Sequence, residues 1–183
     1  MASKLDARRL VFVDESGFNT SMTRLHARAP IGERAYDRVP RNRGKNTTLI
    51  AAISLEGAMG APMTIEGGTN KEVFESYLEH FLVPELEAGQ VVVMDNLQAH
   101  LPDRVRELIE ARGAYLVYMP TYSPDLNPIE EAFSKIKQLV RKAEARTKEA
   151  LMEAIAGALG AVTTEDALGW FYDCGYEPRD QYL

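Results

Sequence analysis

Two short apolar runs stop at the same kind of residue: LVFV at residues 10–13 ends at Asp14, and VVVM at 91–94 ends at Asp95. Runs this short and this apolar suit strands buried on both faces. Residues 47–55 (TTLIAAISL) and 61–65 predict two more strands, joined by a turn opening at Glu56-Gly57, and residues 115–119 predict a fifth. Elsewhere the apolar period is helical. Val73, Phe74, Tyr77, Leu78, Phe81 and Leu82 predict a helix opened by the capping box Thr69-Asn70-Lys71-Glu72 and running to about Glu87. Pro102 starts a second helix, with Val105, Leu108 and Ile109 inward and Gly113 closing it. Asn127 as N-cap and Pro128 at the first helical position open a third, running to roughly Ala143. Thr147 caps a fourth, with Leu151, Ile155 and Leu159 on one stripe, and Thr163 or Thr164 begins a last short helix towards Trp170 and Phe171.

A hairpin block followed by alternating helices and strands predicts an α/β domain: a mixed five-stranded sheet with helices on both faces and extra C-terminal helices. This element order is the one used by the ribonuclease-H-like fold. At 183 residues the chain fits one domain over 1–183. Residues 19–46 read as an insertion between the first two strands, with a short strand expected near residues 25–29. The insertion is basic. From Arg24 to Lys45, seven Arg and Lys face two acidic residues, a local net charge of +5 in a chain of net −6. A phosphate-contacting arm and a solvated loop both fit that balance.

Composition removes several classes. No apolar run approaches the ~20 residues that span a bilayer, and Met1 to Arg9 has no apolar centre, as a secretory signal would. A single Cys174 excludes an internal disulfide and a multi-Cys zinc site, and reads as a buried small residue. A cytoplasmic address with no membrane partner is the resulting expectation.

Candidate chemistry gathers on carboxylates. In open α/β sheets, sites lie at the carboxyl ends of parallel strands. If the first and fourth strands are parallel neighbours, ~4.8 Å apart, Asp14 and Asp95 face one cleft. Carboxylates that close repel unless a cation lies between them, and hard oxygen ligands suit Mg²⁺ or Mn²⁺. A third carboxylate at the start of the helix after the fifth strand would complete a two-metal phosphoryl-transfer site. The stretch MPTYSPDLNPIEEAFSKIK, residues 119–137, offers Glu130 and Glu131 behind three prolines. Stepping 100° per residue from Ile129, Phe133, Ile136 and Val140 centre a core face, Glu130 falls at its edge and Glu131 points away. Glu130 therefore has two readings: a capping-box partner of Asn127, or the third site carboxylate.

Taken together, VFVDESGF at 11–18, VVMDNLQAH at 92–100, the proline stretch, the 34 residues between Asp95 and Glu130, and the DCGY tail at 173–176 resemble transposases of the Tc/mariner superfamily, most closely the bacterial insertion-sequence branch. The resemblance runs from about Arg9 to about Tyr176. It implies a DDE superfamily endonuclease domain whose catalytic and metal-binding triad is Asp14, Asp95 and Glu130, using Mg²⁺ or Mn²⁺, two ions in all. It further implies DNA recombination: cleavage at transposon ends, then attack of the freed 3′-hydroxyl on target DNA, at TA dinucleotides in this superfamily. The expected partners are DNA, a second copy of the chain when assembled on DNA, and an N-terminal helix-turn-helix part, either on the same chain or as a separate product. No such part precedes the first strand here, so the expectation is a catalytic half, nucleoid-associated in a bacterium.

Around the triad, Asn96 is a candidate to orient Asp95, and His100 to touch a metal-bound water or a phosphate. A turn residue and a loop-packing His are their plainer readings. Arg34, Arg38, Arg41, Arg43, Lys45 and Lys137 are candidate DNA contacts, with Lys135 beside them; solvated charges are the commoner case. Glu15 points to the opposite strand face and is left out. The rival functions are another ribonuclease-H-like nuclease and an inactive remnant serving as a binding or dimerisation module. A phosphatase using Asp14 as nucleophile ranks low, because Ser16 stands where such sites need a second Asp.

Overall fold

The computed structural model describes residues 6–178 apart from Leu25, Asp37, Val39, residues 97–102 and Tyr122. Its five strands are β1 (Leu10–Phe18), β2 (Thr47–Ser54), β3 (Ala58–Glu66), β4 (Val91–Met94) and β5 (Tyr115–Tyr118). They form one sheet in the order β3-β2-β1-β4-β5. β2 pairs antiparallel with both β1 and β3, while β4 runs parallel to β1 and to β5. The expected mixed sheet is therefore present, with β1 at its centre.

Strand parity distributes the side chains. Leu10 and Phe12 of β1, with Val91 and Val93 of β4, face one core, which contains Ile129, Phe133, Ile136 and Val140 of α4 (Pro128–Ala143). Helices α5 (Lys148–Gly160) and α6 (Thr164–Asp173) close that side through Leu151, Ile155, Ala167 and Phe171. Val11, Val13, Val92 and Met94 face the opposite core. There they meet Phe74, Tyr77 and Leu78 from α1 (Lys71–Tyr77) and the turn after it, and Val105 and Ile109 of α3 (Asp103–Glu110). Both faces of β1 are thus covered, as its unbroken apolar run requires. No helix among the described residues is long and apolar enough to cross a membrane.

Several expectations are corrected. β1 does not stop at Val13 but runs on to Phe18, because Glu15, Ser16, Gly17 and Phe18 pair with Ile50, Leu49, Thr48 and Thr47 of β2. The first helix is capped by Asn70, not Thr69: the Asn70 side chain accepts from the Val73 N–H at 2.9 Å. That helix also passes through a π turn at Leu78–Leu82 before a last stretch, α2, at Val83–Glu85. Pro84 has no N–H to return to the preceding turn, and the Val83 N–H reaches back to the Leu78 carbonyl instead. Residues 26–29 form no strand; the described part of the 19–46 insertion is turns, bends and irregular chain. The start of α3 at Pro102 lies outside the described residues.

Lys135 is the other correction. It pairs with Asp166, the residue that closes the capping box of Thr163, and so joins α4 to α6. The Lys135 hydrogen bond, then the Thr163 backbone, holds the Asp166 carboxyl down to about 2. A carboxylate depressed in the fold contributes stability above its ordinary value of 3.8 and loses it as pH falls through about 2. Asp166→Asn should therefore destabilise the domain by about 1 kcal/mol at neutral pH, after discounting for solvent screening. That corresponds to about 2–4 °C in unfolding midpoint. Melts of both proteins at falling pH check the sign: the difference should narrow below the ordinary carboxylate range.

Candidate active site

Parity continues past the apolar runs. Val13 is in register with Met94 at the end of the β1–β4 pairing, so Asp14 and Asp95 are the next positions along it. Each alternates onto the face of Phe12 and Val93, which is the face α4 covers. Helix α4 begins above that edge, after the 3₁₀ turn Pro124–Leu126. Its core stripe directs Glu130 over the sheet. A cleft of about 410 Å³ opens there, lined by Asp14, Asp95, Asn96, Asn127 and Glu130 together with the proline loop. The three candidate carboxylates thus come from β1, the end of β4 and the first turn of α4. Glu131 is exposed and does not line the cleft. It lies near Cys174, whose half-buried thiol is pushed up to about 11, first by burial and then by the charges of Glu131, Asp173 and Asp125.

The plainer reading of Glu130 finds no support in the local hydrogen bonds. The N-cap residue of α4 is Asn127, but no side-chain cap bond forms there. Asn127 instead reaches across the cleft: its Nδ2 donates to Asp14 Oδ2 at 3.0 Å. The other oxygen of Asp14 accepts from the Glu15 N–H at 2.7 Å. Sequence reasoning assigned Asn127 to capping alone and missed this contact. The signal was present only in combination, as an amide beside the glutamate that the carboxylate pattern required.

The donor set fits a hard divalent cation, being carboxylate oxygens with a neutral amide oxygen beside them. Asn127 Oδ1 is buried and has no hydrogen-bond partner among the described residues. Among the described residues, no three His, Cys, Asp or Glu side chains already stand close enough to share one ion.

The proline loop is braced from the C-terminal end. Tyr176 Oη donates to the Leu126 carbonyl at 2.9 Å, and its ring packs on Phe12 at 5.1 Å between centroids. Phe171 meets Phe12 edge-on at 5.3 Å. The DCGY tail thereby ties the strand that carries Asp14 to the loop that aims Glu130.

Of the remaining candidates, Asn96 is exposed at the cleft and His100 lies outside the described residues. Arg34, Arg38, Arg41 and Arg43 are exposed along the insertion, and Lys137 is half-buried on α4. Lys45, at the root of the insertion, is exposed too and makes an ion pair there. Its Nζ meets Glu66 Oε1 at 2.6 Å, while Lys148 takes the other oxygen at 3.1 Å. Arg146 ties the opposite root by donating to the carbonyls of Thr20 and Met22, at 3.3 and 2.9 Å.

A ribonuclease-H-like sheet with acidic residues gathered at the carboxyl ends of its central parallel strands defines a class of phosphodiester-processing domains. Within that class the chain belongs to the DDE superfamily endonucleases, whose family model matches residues 9–152. Its relatives are transposases. It is 30% identical over 156 residues to the Tcb1 transposase of Caenorhabditis briggsae, spanning 79% of this chain and 57% of that one. It is 24% identical over 161 residues to the Tc1 transposase of Caenorhabditis elegans, spanning 83% and 59%. The chain thus spans a little over half the length of these relatives. Among solved structures, it resembles Mos1 transposase in a paired-end complex with the left transposon end, with a TM-score of 0.71 at 21% identity, over 94% of this chain and 54% of that one. The catalytic domain of Mos1 mariner transposase superposes with a TM-score of 0.66 at 16% identity, over 96% and 80%. Mos1 paired-end complexes have been solved with Mn and with Mg.

Proposed function

We propose that this domain is the catalytic part of a DNA transposase, cutting phosphodiester bonds at the ends of a mobile element and joining the freed 3′-hydroxyl to target DNA. The observation that carries the proposal is the meeting of Asp14, Asp95 and Glu130 on one cleft at the carboxyl edge of the sheet. Asp14 and Asp95 would hold the divalent cations, with Glu130 completing the ligand set from the helix. Two bound Mg²⁺ or Mn²⁺ ions would supply Lewis acidity at both the attacking and the leaving oxygen. The protein's share is placement. β1 and β4 fix two carboxylates by sheet register, and Pro120, Pro124 and Pro128 lower the entropy cost of holding the third. Complexes of Mos1 with transposon-end DNA, and with Mn or Mg, support the same partner and the same metals here. Transposition itself would require a homodimer on DNA and an end-reading domain.

Supercoiled plasmid is a permissive substrate. The domain should nick it in Mg²⁺ or Mn²⁺ and leave it intact in EDTA; EDTA-resistant nicking would overturn the assignment. The exposed arginines of the insertion are the proposed DNA-backbone contacts. Neutralising Arg38, Arg41 and Arg43 together should weaken DNA binding and flatten its dependence on salt, by up to about 0.9 in log–log slope per lost phosphate contact. An unchanged slope would show the segment to be merely solvated.

A further inference from the structure

Asn127 stands at a position where short polar residues usually cap a helix through a side-chain oxygen. Here that oxygen caps nothing, and the residue is only 4% exposed. Its backbone is pinned on both sides: the Asn127 N–H donates to the Pro124 carbonyl at 2.9 Å, and its own carbonyl accepts from the Glu130 N–H at 3.1 Å. The side chain is therefore presented in one orientation. Nδ2 is spent on Asp14 Oδ2 at 3.0 Å. Oδ1 is left as a buried acceptor with no partner among the described residues, in a side chain that lines the cleft. A buried acceptor without a donor is unfavourable, so the site as used supplies one.

We infer that Asn127 is a positioning residue for the cation site, fixing Asp14 through Nδ2 and offering Oδ1 to a water held in the cleft. The inference rests on the reading of the cleft as a divalent-cation site. With the Glu15 N–H on one oxygen and Asn127 on the other, the Asp14 carboxylate is oriented from both ends. The residue type follows from this double duty. Ser or Thr at this position is shorter and lacks an amide. Asp has the right shape but would set a carboxylate against Asp14. Asn alone among the common N-cap residues brings a fixed N–H donor on one side and a carbonyl acceptor on the other.

Two variants and one control test it, all by Mn²⁺ calorimetry and thermal unfolding of the whole chain. Asn127→Ala should bind Mn²⁺ about 10–100-fold more weakly, the range for removing a group that orients a metal ligand. Asn127→Asp keeps the shape, so it also covers the case in which the alanine protein does not fold. Its unfolding midpoint should fall in EDTA, and Mn²⁺ should raise that midpoint by more than it raises the wild type's. A residue that merely supports the helix start would lower both midpoints equally and leave Mn²⁺ affinity alone; either of these results would overturn the inference. Asp95→Asn separates the two levels of failure. If it loses Mn²⁺ affinity while Asn127→Ala does not, the inference alone falls. If wild type and Asp95→Asn bind alike, the cation site itself is wrong, and the role of Asn127 falls with it.

Discussion

Glu130→Gln should reduce metal-dependent nicking of supercoiled plasmid by at least about 100-fold, more than the loss usual for a residue that only orients a ligand, while Glu131→Gln leaves it nearly intact. The two residues are neighbours in sequence and carry the same charge, so composition and net charge do not separate them. Position on α4 does. Glu130 lines the cleft, whereas Glu131 is exposed on the side towards Cys174. Gln keeps the length and polarity of Glu and removes the negative charge a hard cation requires. No side-chain cap bond forms at the start of α4, so Glu130→Gln loses no capping contact at Asn127. Its effect on folding should stay within about 0.5 kcal/mol, as for other exposed positions. Plasmid relaxation assays and thermal melts on the same preparations check both halves. If Glu131→Gln abolished nicking and Glu130→Gln spared it, the assignment of the third carboxylate would be reversed.

The second large effect is on metal affinity itself. Mn²⁺ titrated into Asp14→Asn or Asp95→Asn should bind at least about 10-fold more weakly than into the wild type. Sheet register makes the two substitutions comparable, since both residues are the next positions after the Val13–Met94 pair and share one face. Neither replacement alters volume, but an amide at position 14 sets a donor against either the Glu15 N–H or Asn127 Nδ2, so Asp95→Asn is the cleaner report of charge. Equal heats for wild type and variant would sink the paired-carboxylate reading.

The fold and the three carboxylates were legible for a common reason: they are written in short-range periods. LVFV and VVVM announce strands buried on both faces, and each is followed at once by its Asp. The helical step from Ile129 separates Glu130 from Glu131 by sequence position alone. What stayed hidden depends on partners distant along the chain. The apolar run stops at Val13, but β1 continues because β2 pairs with it. Asn127 looks like a cap by every local rule, and its true partner lies 113 residues away. The ion-pair partners of Lys135 and Lys45, Asp166 and Glu66, likewise lie on other elements of the fold. In the insertion there is no period to read, so the strand expected near residues 25–29 had only composition behind it.

The aromatic brace has a consequence for the order in which the enzyme is made. Phe12 lies on the central strand, far ahead along the chain of its ring partners Phe171 and Tyr176, and so leaves the ribosome before them. At a synthesis rate of ~5–20 residues per second, about 8–30 s separate the emergence of Phe12 from that of Phe171. Through that interval the loop ahead of Glu130 has no Tyr176 hydroxyl on the Leu126 carbonyl. A nascent chain can therefore pair its strands before the third carboxylate is held over them. Full placement of Glu130 therefore waits on residues 171–176, although the strands that carry Asp14 and Asp95 are complete well before them.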